Sequence, residues 1–199
     1  GKDKWLFYTA DRLMEQHYGA DIFNEAGLEH WVKTMDETRR WLERRGIPFF
    51  VLLTPDKSTA YPEMLPDHLR RPAGRTTRFD QLVERLKRSE IDFVDPRAEF
   101  EAAKARGEAV YFAGDSHWIE RGAFIAYRML TERMKKRIPS LAPLTLDDYE
   151  LRRGKPHAAD LARLLSLEGI LDYEVERFRL RDLNRQTPAP VIEMRPGWG

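Results

Sequence analysis

The 199-residue sequence contains no cysteine, which excludes disulfides, thiolate nucleophiles and Cys-ligated metal centres. That absence fits the cytoplasm and the periplasm equally and does not choose between them. No apolar run exceeds five residues, Phe49–Leu53 being one of them, whereas a membrane span needs about 20, so no transmembrane segment is expected. Charge of one sign is also lacking. Lys and Arg number 34 against 33 Asp and Glu, a formal net charge of +1, so no nucleic-acid partner or anionic membrane surface is expected. His17, His30, His68 and His157 show no His-x-His or His-x-x-x-His spacing, and neither a metal nor another cofactor is expected. There is no Gly-x-x-x-x-Gly-Lys phosphate loop, which argues against phosphoryl transfer by Asp56 and Asp115, two acids at expected strand ends.

What is present reads as a globular protein with a charged surface. Hydrophobic residues make up 42% and charged residues 34%, and acids alternate with bases, as in Glu84-Arg85-Leu86-Lys87-Arg88. Such runs read as solvated helix faces. A chain of this size buries roughly 70% of its unfolded surface. Residues 1–199 are expected to form a single domain, with Pro139–Pro143 the best candidate for a linker.

Apolar periodicity divides the chain into alternating elements. Trp5–Tyr8 reads as a first strand and residues 9–27 as loop with about one helical turn. Leu28–Arg45 reads as a helix closed by Gly46, and Ile47–Leu53 as a strand buried on both faces. After the proline-rich loop Thr54–Pro72 come a helix over Thr77–Arg88 and a strand over Ile91–Val94. Asp95 and Pro96 then open a helix running to about Arg106. Ala109–Phe112 reads as a strand and Ile119–Arg137 as a helix. In the tail, Leu144–Leu151 reads as an edge strand, Asp160–Leu165 as a short helix, Tyr173–Leu180 as a strand and Thr187–Gly199 as an extended segment. Strands alternating with helices predict an α/β fold with a mostly parallel central sheet and helices on both faces.

The stretch Ala109–Trp118 joins a buried strand to the polar triplet Asp115-Ser116-His117, with Gly114 at the break. Open α/β sheets place their sites at such strand ends. Asp115 and His117 form an Asp-x-His pair. In a Ser-His-Asp arrangement the imidazole takes the nucleophile's proton and the carboxylate fixes its tautomer. The same spacing also suits a local hydrogen bond or a helix cap, and Ser116 is a serviceable N-cap. Gly114-Asp115-Ser116 additionally imitates the Gly-Asp-Ser box that carries the nucleophile of some esterases, although those boxes lie at the first strand.

Several segments, in order and spacing, resemble the SGNH-hydrolase-like domain of the alginate O-acetyltransferase family of periplasmic polysaccharide-acetylating proteins. Gly1-Lys2-Asp3-Lys4-Trp5-Leu6-Phe7 is similar to that family's opening. Pro55-Asp56-Lys57 with Tyr61-Pro62-Glu63 and Leu65-Pro66 is similar to its proline-rich loop. Asp115-Ser116-His117-Trp118 with Gly122-Ala123 is similar to its Asp-x-His-Trp signature, and Ala159-Asp160-Leu161-Ala162 to a later segment. Lys4 stands where the family has glycine, and Ile119 where it has a capping Thr or Asn. The resemblance implies an SGNH-hydrolase-like fold, a periplasmic location, a polysaccharide substrate and a possible membrane-bound acyl-transfer partner. It further implies that Asp115 and His117 are the acid and base of a triad whose serine lies on a later strand. None of the five serines, Ser58, Ser89, Ser116, Ser140 and Ser166, stands in such a box. The chain is therefore expected either to stop before its nucleophile-bearing strand or to have lost the nucleophile.

Lys57 is a candidate to bind an anionic substrate group or to form a loop salt bridge. Tyr61 is a candidate to stack on a sugar or to anchor packing, and Trp118, beside the expected base, is a third candidate for substrate contact. Two functions follow. One is an O-acetyltransferase or acetylesterase acting on polysaccharide hydroxyls; the other is an inactive polysaccharide-binding or scaffold module of an acetylation complex.

Overall fold

Two three-residue strands run parallel at the centre of the fold. In the computed structural model, which describes residues 1–154, 159–171 and 175–182, β1 (Phe50–Leu52) pairs with β2 (Asp92–Val94). Val51 stands opposite Phe93. Side chains alternate along a strand, so Phe49, Val51 and Leu53 turn to one face. They pack there with Val83 and Leu86 of α4 (Arg78–Leu86) and with Trp31, Val32 and Met35 of α2 (Glu25–Glu43). Asp92 lies on the other face. α6 (Glu120–Lys135) packs there, with Arg133 reaching Asp92 at 3.5 Å.

Local chemistry sets the helix ends. The Asn24 side chain accepts the Gly27 N–H at 2.7 Å to cap α2. Thr77 and Asp80 form a reciprocal capping box at the start of α4. The Asp95 carboxylate accepts the Arg97 N–H at 3.1 Å, and α5 (Arg97–Ala105) begins there. α1 (Leu13–Tyr18) is the short helix expected within residues 9–27. The proline-rich loop holds α3 (Lys57–Ala60) and two single 3₁₀ turns.

The sheet differs from the alternating pattern in two places. Trp5–Tyr8 forms no strand. Its apolar character comes from packing, since the Trp5 ring lies 4.3 Å from that of Tyr61. Ala109–Phe112 is reduced to a single antiparallel bridge between Tyr111 and Trp118. The chain folds straight back on itself at this point. Phe112 N–H goes to the His117 carbonyl at 3.2 Å and Ile119 N–H to the Val110 carbonyl at 3.0 Å. Val110 is fully buried and its own N–H is taken by the Tyr61 hydroxyl at 2.9 Å. Burial produced the strand-like composition, but the bridge this segment makes is to its own turn rather than to a neighbouring strand. Val110 and Tyr111 join Phe100, Ala103 and Ile125 in a second core between α5 and α6.

The tail adds an antiparallel hairpin of β3 (Tyr149–Gly154) and β4 (Val175–Leu180). β3 begins later than the expected edge strand, because Leu146–Asp148 form a 3₁₀ turn under a Thr145–Asp148 capping box. Tyr149 and Phe178 pack on Phe124 of α6 with ring centroids 5.7 and 5.8 Å away. Arg121 of α6 also pairs with Glu176 at 2.6 Å. α7 (Asp160–Leu164) lies between the hairpin strands in sequence. The parallel sheet is thus a single strand pair among the described residues. The mixture of helices and strands is that of the α/β class. The extended segment expected over Thr187–Gly199 lies outside the described residues.

Candidate active site

The fold-back of residues 110–119 places Asp115, Ser116 and His117 at the tip of a tight arch. Gly122, in the first turn of α6, lets this arch seat closely: a Cβ there would stand 2.4 Å from the Val110 carbonyl oxygen. At the tip, Oδ1 of Asp115 accepts both the backbone N–H of His117 at 2.8 Å and its ring Nδ1 at 2.7 Å. An ionised carboxylate only accepts, so Nδ1 carries the proton. In the neutral ring that leaves the lone pair on Nε2. The His117 side chain is 73% exposed while that of Asp115 is 13% exposed. Nε2 has no hydrogen-bond partner among the described residues.

The opposing side of the arch is held by α7. The Asp160 N–H donates to Oδ2 of Asp115 at 2.9 Å. Oδ1 of Asp160 accepts the Ser116 N–H at 2.7 Å and Oδ2 accepts the Ser116 hydroxyl. Ala162 N–H reaches the Gly114 carbonyl at 3.1 Å. Burial alone would raise the Asp115 pKa. The Asp160 and His117 amides and the His117 ring outweigh it and hold the carboxyl below its usual value.

Lys57 supports the arch from beneath. Only 6% exposed, its Nζ donates to the carbonyls of Leu6 and Ala113 at 2.7 Å each and of Asp115 at 2.9 Å. The rings of Trp5 and Phe7 lie 4.9 and 5.1 Å from it. Burial pushes its pKa down to about 7, against the pull of the Asp115 and Asp160 carboxylates. Nζ thus meets three backbone carbonyls and ties the arch to residue 6.

Tyr61 stands in a packed position, the second of the two places the sequence offered for it. It is 5% exposed, its hydroxyl accepts the Val110 N–H, and burial raises its pKa. Trp118 is half-buried, with its ring 6.3 Å from that of Phe100, and belongs to the second core. Ser116 does not cap α6. The helix follows Ile119 without a side-chain cap, and the Ser116 hydroxyl is given to Asp160 instead. That hydroxyl lies 3.3 Å from Nδ1, on the side of the ring already taken by Asp115, and not against Nε2.

The structure therefore gathers Asp115, Ser116, His117 and Asp160, with Lys57 behind them. Donor atoms of Asp115, His117 and Asp160 lie within 4.8 Å of one another, near enough to share a cation. Yet every carboxylate oxygen in the group already receives an N–H or O–H from the protein, so the arrangement is one of hydrogen bonds. Asp56 stands outside it. Asp160 is the residue to which the sequence assigned no role. It lies 44 positions from Ser116, beyond any local spacing rule, and its only signal was its place in the Asp-Leu-Ala segment.

This fold with an Asp-x-His pair at an arch tip is that of an SGNH-hydrolase-like domain. The chain belongs to the family described as SGNH hydrolase-like domain, acetyltransferase AlgX, which residues 1–191 match. The probable alginate O-acetylase AlgJ of Pseudomonas fluorescens is 24% identical over 173 residues, covering 86% of this chain and 42% of the relative. The protein of the same name from Pseudomonas aeruginosa is 27% identical over 197 residues, covering 96% and 47%. The chain thus spans under half the length of these curated relatives. Among solved structures, the O-acetyltransferase domain of Pseudomonas putida AlgJ has a TM-score of 0.57 at 24% identity, covering 92% of this chain and 65% of that one. Bacillus cereus PatB1 with a sulfonyl adduct has a TM-score of 0.56 at 15% identity, covering 77% and 49%. At such identities the two structures show a shared fold.

Proposed function

We propose that this chain supplies the acid–base pair of an O-acetyltransferase or acetylesterase that acts on hydroxyls of an exported polysaccharide in the periplasm. The observation that carries this reading is the His117 ring. Its Nδ1 is fixed by Asp115 at 2.7 Å while the rest of the side chain stands open to solvent. Nε2 is then the base. It accepts the proton of a serine hydroxyl as the serine oxygen attacks an acyl donor, and Asp115 stabilises the imidazolium that results. The imidazolium protonates the leaving group. In the second half, Nε2 takes the proton of a sugar hydroxyl or of water, whose oxygen receives the acyl group, and the proton returns to the serine.

The serine in this mechanism is none of Ser58, Ser89, Ser116, Ser140 and Ser166. This reading requires a serine from outside residues 1–199, and residues 1–199 by themselves are expected to cleave no ester. A membrane-bound acyl-transfer partner supplies the acetyl group. The family membership and the AlgJ relatives support acetyl transfer and polysaccharide as substrate.

One observation favours a second reading. The serine nearest the ring, Ser116, sits on the Nδ1 side and is committed to Asp160. Without another serine the same fold is an inactive polysaccharide-binding or scaffold module of an acetylation complex.

Treating the full-length gene product with an aryl sulfonyl fluoride and mapping the adduct by mass spectrometry separates the two. The enzyme reading predicts one adduct on a serine other than those five, lost in His117→Ala. An adduct on Ser116 overturns the assignment of Nε2, and no adduct on any serine favours the scaffold.

A further inference from the structure

Asp160 approaches the arch with both its backbone and its side chain. Its N–H binds the free oxygen of Asp115, and its carboxylate receives the amide and hydroxyl of Ser116. Its Oδ2 also lies 3.6 Å from Nδ1 of His117. The imidazole therefore faces two carboxylates, one bonded at 2.7 Å and one just beyond hydrogen-bond range. The Asp160 N–H also decides how Asp115 is oriented. With Oδ2 held by α7, only Oδ1 is left to turn toward the ring.

We propose that Asp160 is a positioning residue for His117, a second carboxylate that aims Asp115 and whose charge supports the protonated ring. This rests on the reading of His117 as the base. At 3.6 Å two opposite unit charges attract weakly through water and more strongly near a protein surface, a range set by the surroundings. Asp160 is 39% exposed, so the lower end of that range applies. The charged groups facing His117 are Asp115 on its own arch and Asp160 on α7. Lys57 on α3 stands behind, against the Asp115 carbonyl.

The geometry also explains why a neutral isostere is informative. Asn at position 160 keeps an oxygen for the Ser116 amide and a backbone N–H for Asp115, and the Ser116 hydroxyl can turn to accept from the new amide. Only the charge is lost.

The test is the protonation midpoint of the His117 ring, read by NMR in the intact gene product with labelled histidine, for wild type, Asp160→Asn and Asp115→Asn. Asp160→Asn is expected to lower the midpoint relative to wild type, and Asp115→Asn to lower it further. The acid limb of the pH–rate profile for an acetyl ester is expected to move with it. A merely structural role would lower the melting temperature and leave the midpoint in place. An unchanged midpoint in a folded Asp160→Asn protein overturns the proposal. If that variant does not fold, Asp160→Ser keeps a short acceptor and removes the same charge, with the same two outcomes. Because the midpoint is read without turnover, a shift in an inactive protein would support Asp160 while counting against the enzyme reading.

Discussion

Oδ1 of Asp115 holds His117 twice, through its backbone N–H at 2.8 Å and through its ring Nδ1 at 2.7 Å. The two bonds make one carboxylate both the local fold of the arch and the setting of the imidazole. They also tie the stability of the arch to the charge on Asp115. The folded-state pKa of Asp115 is held below its ordinary value near 3.9, so its contribution to stability is fully present above that pH. That contribution is lost as pH falls through the lower folded-state value. The gap between the melting temperatures of wild type and Asp115→Asn should therefore shrink as the pH falls below about 4. A gap that stays constant into acid would show that the carboxylate gains nothing from its partners.

Lys57 gives a pH dependence of the same sense in a more alkaline range. Burial lowers its pKa to about 7, whereas an unfolded-chain lysine titrates near 10.4. Between those values the unfolded chain holds a proton that the folded protein has released, so raising the pH favours the folded state. Lys57→Met should cost about 1–3 kcal/mol through the stranded carbonyls of Leu6, Ala113 and Asp115. Urea unfolding should show wild type gaining on Lys57→Met from about pH 7 to pH 10. A gain that falls over that range would contradict the burial account.

Gly122 tests the seating of the arch. Alanine in a helix interior is better than glycine by about 1 kcal/mol, which would favour Gly122→Ala. The added Cβ would meet the Val110 oxygen at 2.4 Å and the Trp118 Cβ at 3.2 Å. The oxygen is backbone and belongs to the arch, so overpacking of about 1–3 kcal/mol should prevail. Thermal melting is expected to show a net loss of stability. A more stable Gly122→Ala protein would mean that α6 and the arch have room to part.

The sequence was most legible where structure is local. The Asp115–His117 bond spans two residues just after the break at Gly114, so spacing alone brought the pair into reach, and the helices over α2, α4 and α6 followed their apolar stripes. The strand expected at Ala109–Phe112 failed for a physical reason. Composition reports burial, which is real for Val110 and Tyr111, but which ladder a buried segment joins is decided by the turn that follows it. Trp5–Tyr8 misled in the same way, its aromatics serving Tyr61 and Lys57 rather than a sheet. Asp160 and the true partners of Lys57 were hidden because their contacts cross 44 to 58 positions.

Lys4 shows how a departure from a family pattern becomes a backbone statement. It stands where glycine is usual and has φ of 65°, in the left-handed region that a side chain disfavours. Lys4→Gly should raise stability by up to about 1 kcal/mol, measured as a higher melting temperature. An unchanged or lower melting temperature would show that the lysine side chain offsets its own strain.

The central claim is that an exposed His117, oriented by Asp115, is the base for acyl transfer. The most direct measurement compares turnover of an acetyl ester by full-length wild type and His117→Ala, with melting temperatures taken on the same samples. The account predicts a loss of turnover of about a thousandfold or more. Because the ring is exposed, the melting temperature should move by no more than about 2 °C. Turnover within a few-fold of wild type in a folded His117→Ala protein would contradict it.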